Sequence, residues 1–181
     1  MNDHRLNITA ENILGNSDYQ AISYGGYRTN TRDDQPTIDE LKEDMLLLAA
    51  MDIKLLRTYN THFAQVTNLL EAIRQLNQKD ADFEMYVMLG AWINCKGAFT
   101  TEPDHSLEDE LANKQEINRA VELQKKYPEI VKIIAVGNEA MVHWATSYYV
   151  EPGVILKWVN YLQNLKEEGE LSKDLWITSS D

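Results

Sequence analysis

The chain has 181 residues, 44% of them hydrophobic, and a formal net charge of −12. That length suits one domain with a sizeable core, and the acidic balance argues against nucleic acid or an anionic membrane surface as a partner, since both require a basic face. A single cysteine, Cys95, excludes an internal disulfide and a cysteine-rich metal site; it reads as a free, partly buried thiol.

In chain order, the opening M-N-D-H-R-L-N-I-T-A-E-N has neither the apolar core nor the cleavage site of a leader. Either the protein is cytoplasmic or a leader has been removed. No apolar run approaches the roughly 20 residues of a spanning helix, so no membrane span is expected. Ala21–Tyr27 reads as a first strand closed by Gly25 and Gly26. Thr37, with Glu40 three residues later, forms a capping box that opens a helix carrying Ile38, Leu41, Met45 and Leu48 on one side. Ile53–Tyr59 is a second strand and Val66–Leu76 a second helix. Phe83–Trp92 is a third strand, followed by a long polar loop and a helix over about Leu107–Lys126, which Tyr127-Pro128 ends. The acidic stretch Glu108–Glu116 reads as a solvated face. The β-branched run from Val131 to Val136 is a fourth strand, fit to be covered on both faces. A helix over Pro152–Glu167 stops at Gly169, and Leu175–Ser179 begins a fifth strand that needs a strand partner to be ordered.

Strict strand–helix alternation implies parallel strands, in either an open doubly wound sheet or part of an eight-unit barrel. No G-x-G-x-x-G or Walker loop follows any strand. Polar and aromatic residues instead recur at successive strand ends: Tyr24, Arg57 with Tyr59, Trp92, then Asn138 with Glu139. A (β/α)8 TIM barrel gathers such ends around one pocket, whereas an open sheet uses mainly its switch point. A whole barrel takes about 250 residues, so the expectation is the first four βα units plus the start of strand five, forming one domain over 1–181.

Gly137 lets the backbone leave the fourth strand, which places Asn138 and Glu139 at its carboxyl-terminal end, where parallel α/β folds bind ligands. Glu139 is a candidate general acid, or the favourable N-terminal acid of a following helical turn. Arg57 interrupts an apolar strand and must be paired there. It serves either a structural ion pair or a neighbouring carboxylate whose pKa it depresses. Tyr24, Tyr59 and Trp92 are core residues if taken singly and a sugar platform if taken together. His143 and Trp144 are loop packing or pocket wall. His4, His62 and His105 show no metal-ligand spacing, so no metal and no cofactor are expected.

The segments I-S-Y-G-G-Y-R, K-L-L-R-T-Y-N, Y-V-M-L-G-A-W and I-I-A-V-G-N-E-A, in that order, resemble the first four strands of family 17 glycoside hydrolases, in particular the bacterial branch acting on β-1,3-glucans such as laminarin. The resemblance implies a (β/α)8 barrel with a retaining, two-carboxylate mechanism. Glu139 would be its acid/base, Asn138 would bond the sugar 2-hydroxyl, Arg57 would support the nucleophile, and Tyr24 would line the sugar pocket. Tyr59, Trp92 and Trp144 complete the expected substrate-binding set. The family's nucleophile is a Glu on strand seven, so this chain corresponds to the N-terminal half and, alone, is expected to be inactive and prone to self-association. Periplasmic or secreted localisation is likewise implied by the family. A β-1,3-glucan transglycosylase shares the same carboxylates, and a non-catalytic carbohydrate-binding half-barrel would need no nucleophile.

Overall fold

The computed structural model describes residues 3–180. A 3-10 turn (His4–Asn7) and a short helix α1 (Ala10–Ile13) precede strand β1 (Gln20–Ser23). Then follow α2 (Ile38–Ala50), β2 (Ile53–Arg57), α3 (Ala64–Lys79) and β3 (Tyr86–Ala91). A small hairpin, β4 (Cys95–Lys96) and β5 (Asp104–Glu108), leads to α4 (Glu110–Lys126). The chain continues through β6 (Val131–Val136), α5 (Pro152–Glu167) and β7 (Trp176–Ser179). The capping box at α2 is present: the Thr37 N–H donates to Glu40 at 2.8 Å, and the Glu40 N–H donates to the Thr37 hydroxyl at 3.3 Å.

The main sheet has the order β1-β2-β3-β6-β7, and every neighbouring pair is parallel. The order follows the chain without the reversal that marks a doubly wound sheet. Residues from α2 to α5 (Leu41, Leu69, Ile117 and Leu162 among them) share one core with Leu56, Val87, Leu89, Ile134 and Val136. Adjacent strand residues face opposite ways, so Leu55 belongs to a second cluster on the other face, with Tyr86 and Ile13 of α1. The amino-terminal segment is tied beneath that face. The Arg5 guanidinium donates to the carbonyls of Asn77, Ala81 and Phe83 at 2.9–3.3 Å. The Lys132 ammonium donates to the Arg5 carbonyl at 2.8 Å, and burial pushes its pKa down to about 8.

Two expectations change. The polar loop after β3 is partly the β4–β5 hairpin, so α4 begins at Glu110 rather than near Leu107. The stretch Glu108–Glu116 is a solvated face only in part: Glu110, Leu111, Lys114 and Gln115 are exposed, but Glu116 is 2% exposed, and Glu108 accepts from Asn113 and from the Trp158 indole at 2.7 Å. The buried face of α4 includes Asn113, Glu116, Ile117, Ala120 and Leu123, a helical stripe in which charge pattern misleads and spacing does not. Cys95 is a free, buried thiol, as expected. Trp176–Ser179 finds its partner in β6, with Ile134 opposite Ile177 and Val136 opposite Ser179. Among the described residues, no helix is long and apolar enough to cross a membrane.

Candidate active site

The site is built where β2, β3 and β6 end. Ala91 and Val136 are register partners, and the Gly137 N–H donates to the Ala91 carbonyl at 2.8 Å. Gly137 has φ +83°, and a Cβ there would come within 2.9 Å of Ala140 and 3.0 Å of Ile155. Only glycine makes this turn without strain. It sets Asn138 and Glu139 at the strand end, both half-buried. Glu139 itself has φ +49°, uncommon for a residue with a side chain and frequent at functional sites. Its N–H donates to the Ser180 carbonyl at 2.7 Å, which ties the turn to the strand that follows.

Arg57, the last residue of β2, reaches across the β3 end. Its Nη2 donates to Asn138 Oδ1 at 2.6 Å. This contact assigns the Asn138 carbonyl oxygen to Arg57 and turns the amide NH2 toward other acceptors. The guanidinium also lies over the Tyr59 ring, 5.5 Å from its centroid. Arg57 Nε is buried and has no acceptor among the described residues. The backbone just past β2 lies close against Gly90 of β3, where a Cβ would sit 2.3 Å from the Thr58 carbonyl oxygen and 2.8 Å from the Tyr59 backbone. The Gly90 N–H donates to the Thr58 hydroxyl at 3.1 Å.

Trp92 follows β3. Its N–H donates to Glu116 at 3.1 Å and its indole N–H to Asn94 at 2.6 Å. Glu116 also accepts the Thr61 N–H, Arg119 Nη2 at 2.7 Å, and a contact from His62 Nδ1 at 3.3 Å. Burial opposes ionisation of this carboxyl, but the bonds from His62, Thr61, Arg119 and Trp92 outweigh it and hold its pKa below the ordinary glutamate value.

The structure thus places Arg57 and Tyr59 at the end of β2 and Asn138 and Glu139 at the end of β6, with Trp92 at the end of β3, the strand between them. Tyr24 is not brought into this group. Its ring packs with the helix-side core, and its hydroxyl donates to Asp44 of α2 at 2.6 Å, where Arg28 also binds at 2.8 Å. Ser23 pairs with Arg57, so the next residue faces the helices, and alternation along β1 already contained this outcome. Burial, together with the hydrogen bond to Asp44, raises the Tyr24 pKa. Trp144 lies on the β6–α5 loop, 68% exposed. His143 stacks on Tyr149 in that loop. Arg57 meets an amide rather than the carboxylate expected of a charge at that position. Sequence reasoning missed Glu116 and Asp44, which sit within helices and face the core by spacing alone. Among the described residues, no three His, Cys, Asp or Glu side chains gather as a metal site requires.

No family model matches the chain, and no curated protein does. Among solved structures it is similar to an endo-laminarinase from Formosa Hel1_33_131, with TM-score 0.94 and 63% identity. That match covers 96% of this chain and 44% of the other. It is also similar, at TM-score 0.49 and 17% identity, to CJP38, a β-1,3-glucanase and allergen of Cryptomeria japonica pollen, over 89% of this chain and 42% of that one. The chain spans less than half the length of either.

Proposed function

We propose that this chain belongs to a β-1,3-glucan hydrolase acting on laminarin-type chains, and that it supplies the acid/base side of the site. The observation that carries this reading is the 63% identity over 96% of the chain to an endo-laminarinase. The consecutive parallel strands and the cluster at their ends support it, as does the family 17 resemblance of the four strand motifs. The whole protein would then be a (β/α)8 barrel, with these strands as its first five.

In the proposed mechanism Glu139 gives its proton to the leaving glycosidic oxygen and later takes one from water. Asn138 donates to the sugar 2-hydroxyl through the amide NH2 that Arg57 leaves facing outward. A retaining reaction needs a second carboxyl about 5–5.5 Å away, and a carboxylate there would give Arg57 Nε its acceptor. We assign that nucleophile to a part of the enzyme outside the described residues. Tyr59 and Trp92 offer apolar ring faces to the sugar, and Trp144 offers another from the β6–α5 loop. The partner is a neutral glucan.

The test is Glu139→Gln in the full-length protein. Laminarin hydrolysis should fall at least about a hundredfold, while a substrate with a good leaving group should be partly retained and azide should restore turnover of it. Laminarin hydrolysis at the wild-type rate would remove Glu139 from the mechanism.

A further inference from the structure

The β3 end carries more aromatic surface than the cluster around Asn138 accounts for. Phe99, in the turn between β4 and β5, is 64% exposed and has φ +62°, a conformation that is an outlier for a bulky residue. The surrounding structure holds it there: its N–H donates to the Ser147 carbonyl at 2.8 Å, and the Cys95 N–H donates to the Tyr148 carbonyl at 3.2 Å. These two bonds stitch the β3–α4 loop to the β6–α5 loop. The result is a group of three rings. Trp92 and Phe99 have centroids 6.5 Å apart with planes within 28°. Tyr148 lies 4.9 Å from Trp92 and 5.5 Å from Phe99. The Trp92 indole N–H donates to Asn94 and its backbone N–H to Glu116, so both the ring and the backbone of this residue are held.

Trp92 also borders a recess of about 280 Å³ lined by His62, Asn94, Gln115 and Arg119. Apolar ring faces beside a recess of hydrogen-bonding groups match a pyranose, which has apolar C–H faces and a hydroxyl rim. Trp92 lies one residue beyond the Ala91–Val136 pair, at the end of the strand next to the one that leads to Asn138. Strained backbone that holds an aromatic ring in solvent, on loops fixed to a site, is the pattern of a binding contact.

We propose that Phe99, Trp92 and Tyr148 form an extended glucan platform, which takes glucosyl units beyond the one held at Asn138 and sets a preference for long chains. The proposal rests on the β-1,3-glucan reading of the site. Phe99 is its specificity determinant.

The experiment compares kcat/KM for short and long laminari-oligosaccharides in the full-length protein and in Phe99→Ala, Phe99→Tyr and Phe99→Leu. The long-to-short ratio should fall roughly fivefold to tenfold in Phe99→Ala, from the loss of one ring contact. Phe99→Tyr should restore the ratio and Phe99→Leu should not. An active wild type whose ratio does not move in Phe99→Ala overturns the platform alone, and so does restoration by Leu equal to that by Tyr. A wild type inactive on every β-1,3-glucan overturns the functional reading, and the platform with it. If Phe99→Ala does not fold, the Tyr and Leu variants decide between a ring contact and mere bulk.

Discussion

Glu116→Ala and Glu116→Gln test whether a buried carboxylate organises the loops around Trp92. In the wild type this carboxylate accepts the backbone N–H groups of Thr61 and Trp92 together with Arg119 and His62. Arg119 and His62 are 37% and 41% exposed at their side chains, so water replaces much of what they lose and they are left out of the sum. The two backbone donors are different. Each bond to a charged acceptor contributes about 1.5–3 kcal/mol, so Ala should cost about 3–6 kcal/mol, a large part of the roughly 5–15 kcal/mol typical of a domain. Gln retains one acceptor oxygen and should cost about half as much. The pH dependence supplies a second signature. The folded-state pKa of Glu116 lies below its ordinary value, so its stabilisation is fully present above the ordinary glutamate range and is lost as pH falls through the folded value. The gap between wild type and Glu116→Gln should therefore be widest at neutral pH and close in acid. Urea unfolding followed by circular dichroism, at neutral and acid pH, measures both. A Gln variant within about 0.5 kcal/mol of wild type at neutral pH, or a gap that does not change with pH, would refute the reasoning.

Asn138→Ala should lower kcat on laminari-oligosaccharides more than it raises KM, because a 2-hydroxyl contact strengthens in the transition state; an effect confined to KM counts against that role. Gly90→Ala, which forces a Cβ to 2.3 Å from the Thr58 carbonyl, should lower stability by about 3 kcal/mol or more in thermal unfolding, and a melting curve like that of wild type would contradict the close approach. The 181-residue chain purified alone should self-associate in light scattering, since β1 and β7 each have one strand neighbour and all four β1 residues are exposed; a monodisperse monomer would argue against this.

The parallel strands were legible because each is a short apolar run between helices of clear period. The six residues of β6 are all buried, as a continuous β-branched run foretells. The junction of Gly137, Asn138 and Glu139 was legible from a glycine at a strand end. Sequence could not say what Arg57 would meet, since its partner lies 81 residues away and only the register of β2, β3 and β6 brings the two together. Glu116 sits in a charged stretch whose composition suggests solvent, while its helical spacing with Asn113, Ala120 and Leu123 places it on the buried face. Phe99 was missed because its significance lies in a backbone angle and in two bonds to a loop almost 50 residues later, neither of which leaves a local pattern. Tyr24, one residue past β1, is the opposite case: alternation from Ser23, which pairs with Arg57, is enough to turn it toward the helix-side core.

These outcomes share a cause. The elements that position the site do so through the backbone. Gly90 admits the close approach of Thr58 and Tyr59, just past β2, to β3, Gly137 turns β6, and Glu139 stands at positive φ with its N–H bonded to Ser180. Side chains then finish what the backbone begins: Arg57 fixes the face of Asn138, and Glu116 fixes Trp92. A catalytic amide has to present its donor before substrate arrives, or binding must supply the cost of orienting it. Under the proposed function, Arg57 removes that cost by occupying the amide's carbonyl oxygen, so its contribution to catalysis would be made through Asn138.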